Sequence, residues 1–394
     1  MMTAAAHARQ MRGAFPAVIA ALMCVHAAMA ATRVAGSLWL LHEGYPEWTV
    51  GVLLSLFALA PLGLSLWAGR LADRHGMHRP LGCGVVLGLC GPALLVARPG
   101  LATLALAALA TGGAVAVAAV AIQREAGLMA CDADDLKRVF SGVALGPALS
   151  NALAPVAVGL LIDHAGFRAA FAFALLLPLA AWGAARWVPR QPAAPAWRAG
   201  APGGAGNAFG LLAHAPLRRL LLVNLALSSC WDAHAFAVPV LGHGRHLSAS
   251  AIGLVLGSFS VAATAVRIFI SRFARRLDER QALCVALVLA GVVSAVYAVL
   301  PGLPGMMAGS FVLGLALGSV QPMVLAMLHQ VTPADRRGQA LGLRMLCTNL
   351  ATLGMPAMFG MLAALTVPAA PMWLMAGLVG LALAPARRIA APAQ

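Results

Sequence analysis

The chain is written as long apolar runs separated by short polar breaks. A helix needs about 20 apolar residues to cross a bilayer, and runs of that order recur from one end of the sequence to the other. They predict twelve helices, at roughly 15–41, 49–69, 81–98, 101–123, 139–162, 168–187, 219–241, 249–271, 282–300, 304–329, 339–363 and 369–386. The first run opens like a cleavable export signal, with Arg9 and Arg12 ahead of an apolar stretch and Ala28-Met29-Ala30. It continues past Ala30 to Leu41, long enough to span, so it is expected to stay as a membrane helix.

Composition removes most other readings. Of 394 residues, 61% are hydrophobic and 10% charged, with a mean hydropathy of +0.88. A soluble domain is about half apolar and about a quarter charged. A soluble enzyme of this length has too little polar surface here, and collagen-like, coiled-coil and disordered chains fail on the same grounds. Twelve spans take about 240 residues and leave the rest for ends and connections. The expected class is an all-α membrane protein.

The net charge of +15 changes the picture through its placement. Lys137 is the only lysine, and the arginines sit in short clusters between apolar runs, which marks topology rather than nucleic-acid binding. Counting from a cytoplasmic N-terminus, the outer connections hold Arg98, Arg168 and Arg245, and the spans hold Arg33, Arg267 and Arg344. The remaining 21 of the 27 basic residues fall inside. This asymmetry predicts both termini in the cytoplasm of a multi-pass inner-membrane protein. Residues 188–218, rich in Pro, Gly and Ala with no helix signal, read as a flexible cytoplasmic linker. It separates a six-helix bundle at 1–187 from a second at 219–394. Its glycines are not followed by Gly-Lys-Ser/Thr, so it is not a phosphate loop. The seven cysteines show no CxxC or CxxxH spacing and read as small apolar side chains. No metal site and no cofactor is expected.

The two halves repeat at an offset near 202. Val50-Gly51-Val52 maps onto Ile252-Gly253-Leu254, Arg70-Leu71-Ala72 onto Arg272-Phe273-Ala274, and Pro99-Gly100 onto Pro301-Gly302. With a slip of one residue, Pro155 and Gly159 meet Pro356 and Gly360. Such repeats mark transporters built as two six-helix bundles around a central site.

After the second span stands Gly69-Arg70-Leu71-Ala72-Asp73-Arg74-His75-Gly76-Met77-His78-Arg79-Pro80. Gly69 is expected to admit a close helix, Asp73 to accept charge-assisted hydrogen bonds from a helix N-terminus or an arginine, and Gly76 to allow a tight turn. The corresponding loop of the second half is degraded, with Arg275 in place of the aspartate and Asp278 beyond it. The fifth span reads Gly142-Val143-Ala144-Leu145-Gly146-Pro147-Ala148-Leu149-Ser150-Asn151, where small residues four apart favour close packing. The loop resembles Gly-x-Leu-Ala-Asp-Arg-x-Gly-Arg-Lys/Arg, the signature of the major facilitator superfamily. The fifth span is similar to that superfamily's antiporter motif Gly-x-x-x-Gly-Pro-x-x-Gly-Gly, except that Ser150-Asn151 replaces the final pair. Asp163-His164-Ala165-Gly166-Phe167-Arg168 resembles the outer connection that follows it. The resemblance implies the twelve-helix fold, and a latch of Gly69, Asp73, Arg74, Gly76 and Arg79 that holds the outward-facing state. The arginine that drug/proton antiporters of the family often carry inside helix four is missing, since 101–123 holds no charge before Arg124.

Charges inside a span are costly and by default face a cavity or a partner. Asp232 is the only acid near the middle of any span, and the 202 offset sets position 30 opposite it, close to Arg33. The pair reads as a proton- and substrate-binding site, or as an ion pair between the halves. Arg267 reads as a snorkelling end residue, and Arg344 as a candidate for an anionic substrate. Gln321 and Asn349 are candidate cavity amides, and His26 and His234 candidate pH-sensing groups. No nucleophile–base pair, metal cluster or cofactor loop supports an enzyme. The expected function is proton-coupled export of a small organic molecule by alternating access, with uptake of an organic anion together with protons as the alternative and a non-transporting receptor behind both. The expected partners are that small-molecule substrate, protons and the lipid bilayer, with no nucleic acid, for a protein acting as a monomer.

Overall fold

The computed structural model describes residues 4–129, 133–189, 208–273, 278–332 and 337–389, all helix, turn or connection with no strand among them. In lipid, backbone groups can only be satisfied within the segment, and helices do this. The helices are α1 (Ala4–His42), α2 (Glu47–His75), α3 (His78–Ala97), α4 (Leu101–Met129), α5 (Ala133–Ala185), α6 (Ala215–Gly244), α7 (Ala249–Phe273), α8 (Glu279–Val296), α9 (Gly302–Gly318), α10 (Val320–Val331), α11 (Arg337–Leu365) and α12 (Ala370–Arg387).

Eleven stretches of the described residues are long and apolar enough to cross a membrane. One of them, Gly142–Ala185, runs for 44 residues. At 1.5 Å per residue that is about twice the thickness of a bilayer core. It folds at Gly166, whose φ of 79° and ψ of 174° leave the helix, a backbone region open to glycine at little cost. Two crossings there make twelve, matching the hydropathy pattern. The predicted span 304–329 is covered by α9 and α10 together, interrupted at Ser319, whose hydroxyl donates to the Ala316 carbonyl at 2.7 Å.

Two expectations need correction. The segment from Gly69 to Arg74 is not a loop, because α2 continues through His75 and the turn is made by Gly76 at φ 70°. Strong helix formers, Arg70-Leu71-Ala72, carry the helix onward to the first glycine. The reading of 188–218 as free of helix also fails at its end. A 3₁₀ turn spans Ala208–Ala213, and α6 starts at Ala215 with a proline in its first turn, where its missing N–H costs nothing. Residues 190–207 of that segment lie outside the described residues.

The chain divides into two compact units. Unit 1 comprises Met1–Glu43, Leu56–Trp197 and Ser248–Gly253, and unit 2 comprises Gly44–Ser55, Arg198–Leu247 and Leu254–Gln394. Within unit 1, α1 lies along α5, and α3 meets α4 where a side chain on Gly84 would touch the Ala114 carbonyl and one on Gly91 the Ala107 backbone. Leu22, Met77, Leu81 and Ile122 are fully enclosed there. Within unit 2, α6 packs on α11 and α12. Arg219 donates to the Arg388 carbonyl at 2.7 Å, and Arg245 to the carbonyls of Leu300 (2.9 Å) and Ala298.

The repeat recurs as matched contacts. In unit 1, Gly112 sits against the Phe57 carbonyl. In unit 2, Gly314 sits against the Phe259 carbonyl, 202 positions on in both partners. Likewise Gly253 lies on the Pro155 carbonyl within unit 1, and Gly51 on the Pro356 carbonyl within unit 2. Any Cβ at these four glycines would collide with backbone.

Candidate functional site

Asp232 stands near the middle of α6 and is 5% exposed. It lines a cavity of about 370 Å³ that lies wholly within unit 2. The wall is drawn from several helices. Asn224, Ser228, Trp231 and Asp232 come from α6, Arg267 from α7, and Leu317 from α9. Gln321 comes from α10, and Arg344, Thr348, Asn349 and Thr352 from α11. Asn224, Ser228 and Asp232 are four apart, as are Arg344, Thr348 and Thr352, so each helix turns one polar stripe to the same space. The Asn224 amide donates to the Thr348 hydroxyl at 3.1 Å and ties the two stripes together.

Four of the residues singled out from the sequence therefore meet here: Asp232, Arg344, Gln321 and Asn349. Arg267 joins them, and this corrects its reading as a snorkelling end residue. It is half-buried, lines the cavity, and its Nε donates to the Gly318 carbonyl at 3.3 Å. Pro322 has no N–H to give the Gly318 carbonyl four residues before it, which leaves that carbonyl open to a side-chain donor. The Arg344 Nε is buried with no hydrogen-bond partner among the described residues. Asn224, Ser228, Thr348 and Thr352 escaped the sequence reading. Their signal was the four-residue spacing of small polar side chains inside apolar runs.

His234 is placed elsewhere. It is 2% exposed, its Nε2 lies 2.8 Å from the Ser310 hydroxyl, and its ring stacks on Phe259 at 4.3 Å. Ser310 in turn lies 2.6 Å from the Tyr297 hydroxyl. This is a satisfied polar knot in the core of unit 2, and none of its members lines the cavity. Arg33 and His26 belong to α1 in unit 1, both half-buried. Glu125 on α4, also in unit 1, is 1% exposed, and neither carboxylate oxygen has a hydrogen-bond partner among the described residues.

The residues expected to form a latch are placed in part. Gly76 makes the α2–α3 turn, its N–H bonding the Ala72 carbonyl at 2.9 Å, and Arg74 and Arg79 are exposed. A side chain on Gly69 would meet only Val120, at 4.0 Å, so the close approach expected there is made instead at Gly112. The Asp73 side chain lies outside the described residues. On α5, Gly142 faces Phe15 and Gly146 faces the α1 backbone at Ile19 and Met23, each too near for a larger residue to fit without a shift. Pro147 follows within the same helix. Ser150, the departure from the motif, donates to the Met23 and Gly146 carbonyls (2.7 and 2.8 Å). A hydroxyl bridge stands where the motif has a small-residue contact. Asp278, in the degraded second loop, caps α8 by accepting the Gln281 N–H at 2.8 Å.

The model of the Major Facilitator Superfamily matches residues 18–246 and 220–393. No curated protein sequence matches the chain significantly. Among solved structures, a bacterial homolog of the human lysosomal transporter Spinster, in an inward-facing and unoccupied conformation, is 13% identical with a TM-score of 0.77. The match covers 98% of this chain and 99% of that one. A POT family transporter in complex with 5-aminolevulinic acid is 10% identical with a TM-score of 0.76, covering 95% of each chain. A mutant of the nucleoside transporter NupG is 12% identical with a TM-score of 0.73, covering 94% of this chain and 98% of that one.

Proposed function

Since the chain belongs to the Major Facilitator Superfamily and is a multi-pass membrane transporter of that family, we propose that it carries a small polar organic molecule by proton-coupled alternating access. The observation behind this reading is the cavity that holds Asp232. It is the only acid among the lining residues, and it lies near the middle of a span, where a proton carrier must change charge. The arginine asymmetry supports an inner-membrane protein with both termini in the cytoplasm, and Asp73 with Arg74 and Arg79 as a conformational latch on that side. Two direction schemes fit the coupling. The fifth-helix resemblance favours export in exchange for protons. The pairing of Arg267 and Arg344 in one cavity favours uptake of an organic anion together with protons. A screen of small-molecule fluxes in proteoliposomes under an imposed pH gradient tests the function. Gradient-dependent accumulation of a solute supports it, and absence of any such flux across the panel contradicts it.

A further inference from the structure

Resting on the reading of this cavity as the transport site, we propose that its substrate is a compact organic anion, gripped at its carboxylate or similar oxyanion by Arg344. The lining carries two guanidinium groups against one carboxylate, Asp232, so the ionised site has one positive charge in excess. A cation would enter against that excess, and a neutral molecule would leave it in place. The two arginines are not equivalent. Arg267 already spends its Nε on the Gly318 carbonyl and is pinned to the wall. Arg344 keeps a buried Nε without a partner among the described residues. A buried donor left unmade costs about 1–3 kcal/mol, more on a charged group, and a planar oxyanion offers the paired acceptors that a guanidinium fork matches.

The remaining wall suits a small, partly polar body. Gln321 and Asn349 carry both donors and acceptors for a hydroxyl or carbonyl, and Trp231 adds an apolar face. A volume of about 370 Å³ lies at the small end of ligand pockets, which run from about 300 to 1,000 Å³.

The charge arithmetic also bears on coupling. The charged groups of the lining are Asp232, Arg267 and Arg344. Of the titratable groups nearby on α6 and its neighbours, His234 and Tyr297 are engaged with Ser310, and Cys230 with Ser294 at 3.5 Å. A proton on Asp232 leaves both guanidinium groups uncompensated and strengthens their hold on an anion, so anion and proton favour each other's binding. This substrate class therefore selects the scheme in which both move together.

The test is thermal unfolding of the purified full chain in detergent, with butyrate, butyramide and butylamine as matched probes at millimolar concentration. A ligand that binds only the folded state raises Tm. Butyrate is expected to raise it by about 2 °C while the amide and the amine do not, more strongly at low pH than at high. The rise is expected to vanish in Arg344→Gln and to shrink in Arg344→Lys, which keeps the charge and loses the fork. A shift by butylamine alone, no shift by butyrate, or a butyrate shift unchanged in both Arg344 variants would overturn the proposal. Flux of the same probes in proteoliposomes, corrected with protein-free liposomes, separates it from the transport reading. Butyrate that binds but never moves with the pH gradient contradicts transport and leaves the anion site standing. Gradient-driven accumulation of butylamine contradicts the anion site and leaves transport standing.

Discussion

The Asp163 carboxylate accepts the Ser250 N–H at 2.8 Å and the neighbouring Ala249 N–H at 3.0 Å. These are the first two amides of α7, which have no partner within their own helix, so a side chain 86 residues upstream caps it. The negative charge sits where the helix dipole favours it. Removing the carboxylate in Asp163→Ala is expected to loosen the start of α7 by about 1 kcal/mol. Hydrogen exchange at Ala249 and Ser250 should then speed up roughly fivefold, with amides in the middle of α7 unchanged. Unaltered exchange at both would show that the cap contributes nothing.

The matched glycine contacts make a paired prediction. At Gly112 and Gly314 an added methyl would press on the carbonyls of Phe57 and Phe259, and backbone cannot turn aside as a side chain can. Gly112→Ala and Gly314→Ala should each destabilise the protein by about 1–3 kcal/mol. Gly63→Ala, with open space around it, should be neutral or slightly stabilising. Detergent unfolding temperatures of the three variants check this, and equal behaviour of all three would contradict the contact pattern.

The Ser310 knot separates packing from coupling. Ser310→Ala leaves the buried His234 and Tyr297 groups without the hydroxyl they share and should cost about 1–3 kcal/mol. His234→Gln should lower the unfolding temperature without moving the pH profile of transport. A profile shifted by His234→Gln would return that histidine to the list of proton carriers.

The architecture was legible because its physics is local. Twelve crossings follow from run length, and even the 44-residue stretch of α5 declares its fold through Gly166, the residue that tolerates the required φ. The repeat was legible too, since Gly51, Gly253, Pro155 and Pro356 mark contacts that admit no side chain. The cavity was not. Arg267 reads as an end residue in one dimension, and only the fold shows that it reaches the Gly318 carbonyl. The neighbours of Asp232 come from five helices, and the sequence spacing between α6 and α11 says nothing of the distance between Asn224 and Thr348. His234 was ambiguous for the same reason: a histidine two residues from the acid in sequence faces Ser310 and Phe259 instead.

The two halves should also differ in how they use their acidic loop residues. Asp278 caps α8, a role that asparagine fills nearly as well, so Asp278→Asn should leave stability and flux close to normal. Asp73→Asn removes the charge on which the proposed latch depends and should slow transport severely while the protein still inserts. Measured fluxes and membrane levels decide this, and equal losses at both positions would remove the one-sided latch.

The central claim is that Asp232 carries the coupled proton in the cavity of unit 2. The most direct measurement compares wild type and Asp232→Asn in proteoliposomes, with a transported solute followed in two modes. In the first, a pH gradient drives accumulation. In the second, solute on both sides exchanges without net proton movement. The asparagine variant is expected to lose gradient-driven accumulation entirely and to retain exchange. If it still concentrates solute with an unchanged pH dependence, Asp232 is a structural group, and the coupling belongs to another site such as His26 or the buried Glu125.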